Sequence, residues 1–183
     1  MEQDNKKYEF KAVNLKQEII IGIVWVILFL SFFIFMQYLY RDDKIVNVII
    51  NLKIIGIPFL LSFILSFAIS YYIISDKYHI QLKGDNMLIY ANNKRKYNLN
   101  INNINKIIYS IPEKRNSICL LIYLDTNKIR IISGVFYTER KESKKFANYL
   151  EEIFHDFLLN KGFTEEIKTK NKNVAYIILT KKV

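Results

Sequence analysis

Two uninterrupted apolar runs followed by a switch to period-two alternation predict a membrane protein. Its parts are a two-helix transmembrane hairpin and an α+β domain, an antiparallel β meander closed by one C-terminal amphipathic helix. From Ile19 to Tyr40 and from Ile54 to Ile74 there is no charged side chain. Each run reaches the ~20 residues that a helix rising ~1.5 Å per residue needs to cross ~30 Å of hydrocarbon. From Asp76 onward apolar and polar residues alternate, as they do on a strand with one buried face.

A cleavable signal peptide is the poorer reading of the first run. Its 22 residues exceed the usual apolar stretch of roughly 7 to 15, and no small-x-small cleavage pattern follows it. Tyr38 and Tyr40 end the first run and Tyr71 and Tyr72 the second, as interfacial aromatic belts do. Lys6, Lys7, Lys11 and Lys16 precede the first span; Lys77, Lys83, Lys94, Arg95 and Lys96 follow the second. The 13-residue loop Arg41–Lys53 between them holds only Arg41, Lys44 and Lys53. Because basic residues resist translocation, both termini are expected on the cytoplasmic side of the inner cell membrane.

The formal charge of +10 sits mostly in the C-terminal domain, where 20 basic and 11 acidic residues leave an excess of +9. Such an excess attracts nucleic acid or anionic headgroups. Beside a leaflet where each basic residue contributes about 1 kcal/mol of attraction, membrane lipid is the more economical partner. The single cysteine permits no internal disulfide and suits a reducing compartment.

Ahead of the first span, the tail 1–18 contains Tyr8–Val13, whose alternation suits a short strand able to pair with the later domain. The stretch Ile45–Leu52 is apolar for a loop and either lies in the headgroup region or lengthens the second helix. Neither span carries an ionisable residue, so the usual markers of a proton relay or ion path are missing, which argues against transport by this chain alone. Ser62, Ser66 and Ser70 recur every four residues on the second span. A strip of small side chains admits a close helix, either the first span or a second copy of the chain in a homo-oligomer. Pro58 is placed in the first turns of the second span, where the lost hydrogen bond is tolerated.

Within the domain, residues 75–162, Tyr78, Ile80 and Leu82 alternate with Lys77, His79, Gln81 and Lys83. Gly84–Asn86 makes a turn, Met87–Ala91 a second strand, and Asn92-Asn93 another turn, before Tyr97, Leu99 and Ile101 alternate with asparagines. Further strands span 105–111, 117–124 and 128–133. Thr138 is a candidate N-cap for a helix over 139–160, in which Phe146, Leu150, Ile153, Phe157 and Leu158 recur at helical intervals up to Gly162. The extension 163–183 is polar until 174–180, a further possible strand that the pattern does not place.

This arrangement resembles the pleckstrin-homology-like (PH-like) barrels of bacteria, and in particular the YcxB-like family of small membrane proteins. The residues that carry the resemblance are Tyr78–Leu82, Ile101–Ile107, the paired runs Cys119–Leu124 and Lys128–Ile132, then Phe136 and the helix from Glu139 to Phe157. The resemblance implies a non-enzymatic module and supplies no site residues.

No P-loop, dinucleotide glycine pattern, nucleophile elbow or metalloprotease helix occurs. Cys119, inside Ile118–Ile122, reads as a small buried hydrophobe. His79 and His155 are isolated and make no zinc set, and Asp42-Asp43 reads as a solvated turn. No enzyme activity, metal or cofactor is therefore expected. The candidate lipid-headgroup contacts are Lys94, Arg95, Lys96, Lys114 and Arg115. If hairpins alternate ends, their two turns face the membrane and Asp85 and Asp125 face away. Tyr97, Tyr109 and Tyr123 are expected on inward-facing strand positions, which disfavours a nucleic-acid stacking platform. The sequence thus predicts a membrane-anchored interaction module binding lipid headgroups or an unknown protein partner; the alternative is an immunity protein that shields its host membrane from a toxin or bacteriocin.

Overall fold

The structure, a computed structural model, describes residues 8–39, 48–112, 116–134, 137–171 and 174–181. Asp42-Asp43, Lys114-Arg115 and Phe136 lie outside them. The chain forms two units, one of Lys16–Ile74 and one of Met1–Leu15 with Ser75–Val183.

The helix unit follows from its composition. With no charge over 19–40 or 54–74 and long runs of Ile, Leu and Phe, backbone hydrogen bonds are best satisfied internally. Helix α1 covers Leu15–Leu39; α2 covers Val48–Ile69 and continues through a π-helical turn, Ser70–Ile74. The 25 residues of α1 make about 37 Å of helix at ~1.5 Å per residue. Both helices are long and apolar enough to cross a membrane. Large side chains such as Ile27 (57% exposed) and Ile34 (65%) are bare, whereas the core helix of a soluble protein would bury them. Between the helices the Phe59 ring meets Trp25 and Phe29 edge-on at 5.7 and 6.4 Å. Ser62, Ser66 and Ser70 are buried within the chain. The hydroxyls of Ser62 and Ser66 donate to the carbonyls of Phe59 and Phe63 at 2.9 Å. Helix α2 begins at Val48, ahead of the candidate span Ile55–Ile74, and Pro58 lies in the first turn of that span.

The sheet unit is nine antiparallel strands, β1 Phe10–Asn14, β2 Asp76–Lys83, β3 Asn86–Ala91, β4 Lys94–Asn100, β5 Ile104–Pro112, β6 Ser117–Leu124, β7 Lys128–Gly134, β8 Phe163–Asn171 and β9 Val174–Lys181. They lie in the order β4-β3-β2-β1-β7-β6-β5-β9-β8. Period-two alternation supplies the core, with Tyr78, Ile80, Met87, Ile89, Ile107, Tyr109, Ile118, Leu120 and Ile122 buried from successive strands.

The short tail strand is central. Residues Phe10–Ala12 of β1 pair with β2, and Val13 and Asn14 pair with β7, so this strand joins the two halves of the sheet. Helix α3 (Arg140–Tyr149), a π-helical turn (Leu150–Phe154) and α4 (His155–Asn160) follow in unbroken succession and pack Phe146, Leu150, Phe154 and Leu158 into the core.

Several expectations need correction. The helix is not the last element, because β8 and β9 form a hairpin whose β9 adds to β5. Thr138 does not cap the helix; its hydroxyl accepts from the Gly134 N–H at 2.7 Å, and Glu139 occupies the cap position. Ile101 is not on a strand but in a short 3₁₀ turn, Ile101–Asn103, and β4 and β5 are not neighbours. Hairpin alternation therefore stops there. Cys119 is half-buried on the outer face of β6, and Tyr123 shares that phase with Lys128 Nζ 5.9 Å from its ring centroid.

Candidate functional site

The basic residues singled out by sequence belong to a turn built with little freedom. Asn92 and Asn93 both adopt positive φ, 50° and 63°, the type I′ geometry that joins two twisted strands through two residues and favours asparagine or glycine. Asn92 then acts as a staple. Its backbone N–H donates to the Lys77 carbonyl (2.8 Å), its Oδ1 accepts from the Lys77 N–H (2.9 Å) and its Nδ2 donates to Asp76 Oδ1 (2.6 Å). The turn is thus held against the first two residues of β2.

The three basic residues after it have different roles. Lys96 reaches the Tyr78 hydroxyl at 3.2 Å and Asp76 Oδ2 at 3.6 Å. Burial alone would lower the Lys96 pKa, but the Tyr78 hydrogen bond and neighbouring negative charge outweigh it, and the pKa is raised. Lys96 is a strut. Lys94 and Arg95 are exposed, and neither side chain has a polar partner among the described residues. Beside them Lys77 stands directly opposite Lys11 in the β1–β2 register, a like-charge juxtaposition that destabilises a sheet in isolation. On the same outer face the His79 and Tyr90 rings meet edge-on at 6.0 Å. Burial lowers the His79 pKa, against a smaller raising effect of Glu9.

Lys114 and Arg115, the second expected turn, lie outside the described residues. Asp85 sits at the β2–β3 turn, where Lys161 binds it at 2.6 Å and holds its carboxyl below the usual carboxylate range.

One further cluster has the outline of catalytic machinery. The Tyr109 hydroxyl lies 2.6 Å from His155 Nδ1, and His155 Nε2 lies 3.7 Å from Glu165 Oε2. Tyr109 is buried; desolvation first, then the charges of Glu165, Glu151 and Asp156, push its hydroxyl pKa well up. These contacts tie β5, α4 and β8 together. Among the described residues no group of three or more His, Cys, Asp or Glu could hold a metal ion. No family model, no curated protein and no solved structure matches the chain.

Proposed function

We propose that this chain is a membrane-anchored, non-enzymatic module of the PH-like kind, held by its two spans at the cytoplasmic surface of the inner membrane, where the basic turn after Asn92 contacts anionic lipid headgroups. The observation that carries the reading is the pair Lys94 and Arg95, exposed and, among the described residues, without side-chain partners on a turn stapled to Asp76 and Lys77. Lys77 follows the last helical residue, Ile74, by three positions, a chain reach of about 10 Å. The orientation rests on nine basic residues flanking the outer ends of the span pair against three in the loop between them.

The test uses the full chain in nanodiscs, carrying Cys119→Ser and Asn93→Cys labelled with a polarity-sensitive dye. A blue shift in phosphatidylglycerol discs that is absent in phosphatidylcholine discs and fades with salt is the expected result. Changing Lys94 and Arg95 together to Ser removes about 2 kcal/mol of attraction, roughly thirtyfold in the contact equilibrium. Equal spectra in the two lipids would end the headgroup reading and turn attention to a protein partner.

A further inference from the structure

We infer that β1 is a topological latch: the strand that precedes both spans completes a sheet otherwise built wholly from residues that follow them, so the sheet closes only when α1 and α2 have both crossed the membrane. The inference rests on reading the two helices as spans.

Three observations converge on it. The sheet unit takes residues from both flanks of the helix unit. Within it β1 is no ornamental edge, because it lies between β2 and β7 and is the link between β4-β3-β2 and β7-β6-β5-β9-β8. Phe10, Ala12 and Val13 are 1%, 0% and 0% exposed, and the Phe10 ring stacks on Phe146 at 4.0 Å. Polar bonds hold the same strand. The Lys11 N–H donates to Glu142 Oε2 at 2.9 Å, and Ser133 Oγ donates to the Lys11 carbonyl at 2.7 Å. Asn14 then runs into α1 at Leu15 with no linker.

Charge alone leaves the first span poorly oriented. Four basic residues precede it and three follow in the loop, whereas after the second span Lys77, Lys83, Lys94, Arg95 and Lys96 stand against those same three. A form with only one helix inserted would leave β1 on the opposite side from its slot. Phe10, Ala12 and Val13 would then be unburied, and β2 and β7 would each have an unpaired edge. Docking of β1 selects against that form and supplies the bias that the flanking charges of α1 lack.

The experiment uses the full chain with one epitope tag before Met1 and another after Val183, in sealed vesicles of known sidedness. In a Cys119→Ser background, Lys11→Cys with Lys77→Cys places two thiols directly opposite across β1 and β2 without touching the core. Most of the membrane-integrated chain should crosslink internally with a short bis-maleimide, and its absence overturns docking. Phe10→Asp with Val13→Asp breaks the latch, and a fraction of molecules should then expose the two tags on opposite faces, against essentially none for the parent. Tags that stay on one face in every molecule would show that β1 does not hold the topology. Release of the parent chain by alkaline extraction would instead overturn the span reading itself.

Discussion

The seam where β1 meets β7 and α3 and the turn at Asn92-Asn93 belong to one folded unit, yet they treat their polar groups in opposite ways. At the seam every polar group named has a protein partner. Ser133 Oγ donates to the Lys11 carbonyl and lies 3.1 Å from Thr138 Oγ1, which accepts from the Gly134 N–H, while Glu142 accepts from the Lys11 N–H. At the turn the asparagines are satisfied, but Lys94 and Arg95 are left to solvent. The seam has no capacity left for a ligand; the turn keeps two cations free at a fixed place. On the proposed reading, stability and headgroup contact are separated in space, and substitutions should divide accordingly.

The largest effect is expected at Gly134. Its φ is +131°, and a Cβ there would lie 2.1 Å from the Asn116 carbonyl oxygen and 2.4 Å from the Ser117 Cα. Both are backbone atoms that cannot swing away. Gly134→Ala therefore combines overpacking, ~1–3 kcal/mol, with a strained backbone, ~1–3 kcal/mol, and should abolish the thermal unfolding transition in detergent or lower it by tens of degrees. An unchanged midpoint would mean the β6–β7 approach is looser than drawn. Next comes Glu142→Ala, which leaves the Lys11 N–H without its acceptor inside the sheet, at about 2 kcal/mol. Glu142→Gln keeps an acceptor oxygen and should recover most of that loss. Equal losses in the two variants would mean that charge, through Lys145 at 3.3 Å, matters more than the hydrogen bond.

What the sequence made legible follows the same division. The strand β2 is visible as alternation, and β3, β6 and β7 as short apolar runs bounded by turn residues. Alternation tells which face a residue takes and says nothing of which strand lies alongside. The step from β4 to β5 therefore reads as another hairpin, although the two strands are not neighbours in the sheet. The strand β8 was missed because Thr164, Glu165, Glu166, Lys168 and Thr169 all face solvent on a sheet edge, leaving one exposed Ile167 and no period to detect. The π-helical turn at Leu150–Phe154 inserts a residue into the helical repeat, so Phe154 is fully buried where the plain pattern selected Ile153 and Phe157. At the candidate site the basic residues were found by charge, but Lys96 was counted with its neighbours, since its bonds to Tyr78 and Asp76 exist only in the folded sheet.

A smaller effect of opposite sign is expected at Tyr149. Among the described residues its buried hydroxyl has no hydrogen-bond partner, and desolvation drives its pKa far up. Tyr149→Phe removes an unsatisfied polar atom while keeping the ring against Tyr8 and Phe154 at 5.7 and 6.1 Å. The variant should gain about 1 kcal/mol, read as a higher unfolding midpoint. A loss would indicate a partner for that hydroxyl in solution.

The smallest difference is the sharpest test of the comparison, because it separates two lysines with only Arg95 between them. Lys96→Ser gives up the contacts to Tyr78 and Asp76, but Asn14 Nδ2 still donates to the Tyr78 hydroxyl at 3.3 Å, so the loss should be about 1 kcal/mol or less. Lys94→Ser, with no partner to lose, should fall within ~0.5 kcal/mol of the parent. Headgroup contact should rank the other way, with Lys94→Ser weakening it more than Lys96→Ser, since only an unengaged ammonium is free to meet a phosphate. If the two substitutions weakened contact equally while only Lys96→Ser lowered the midpoint, the attraction would depend on total charge near the membrane, and the fixed geometry of the turn would contribute nothing to recognition.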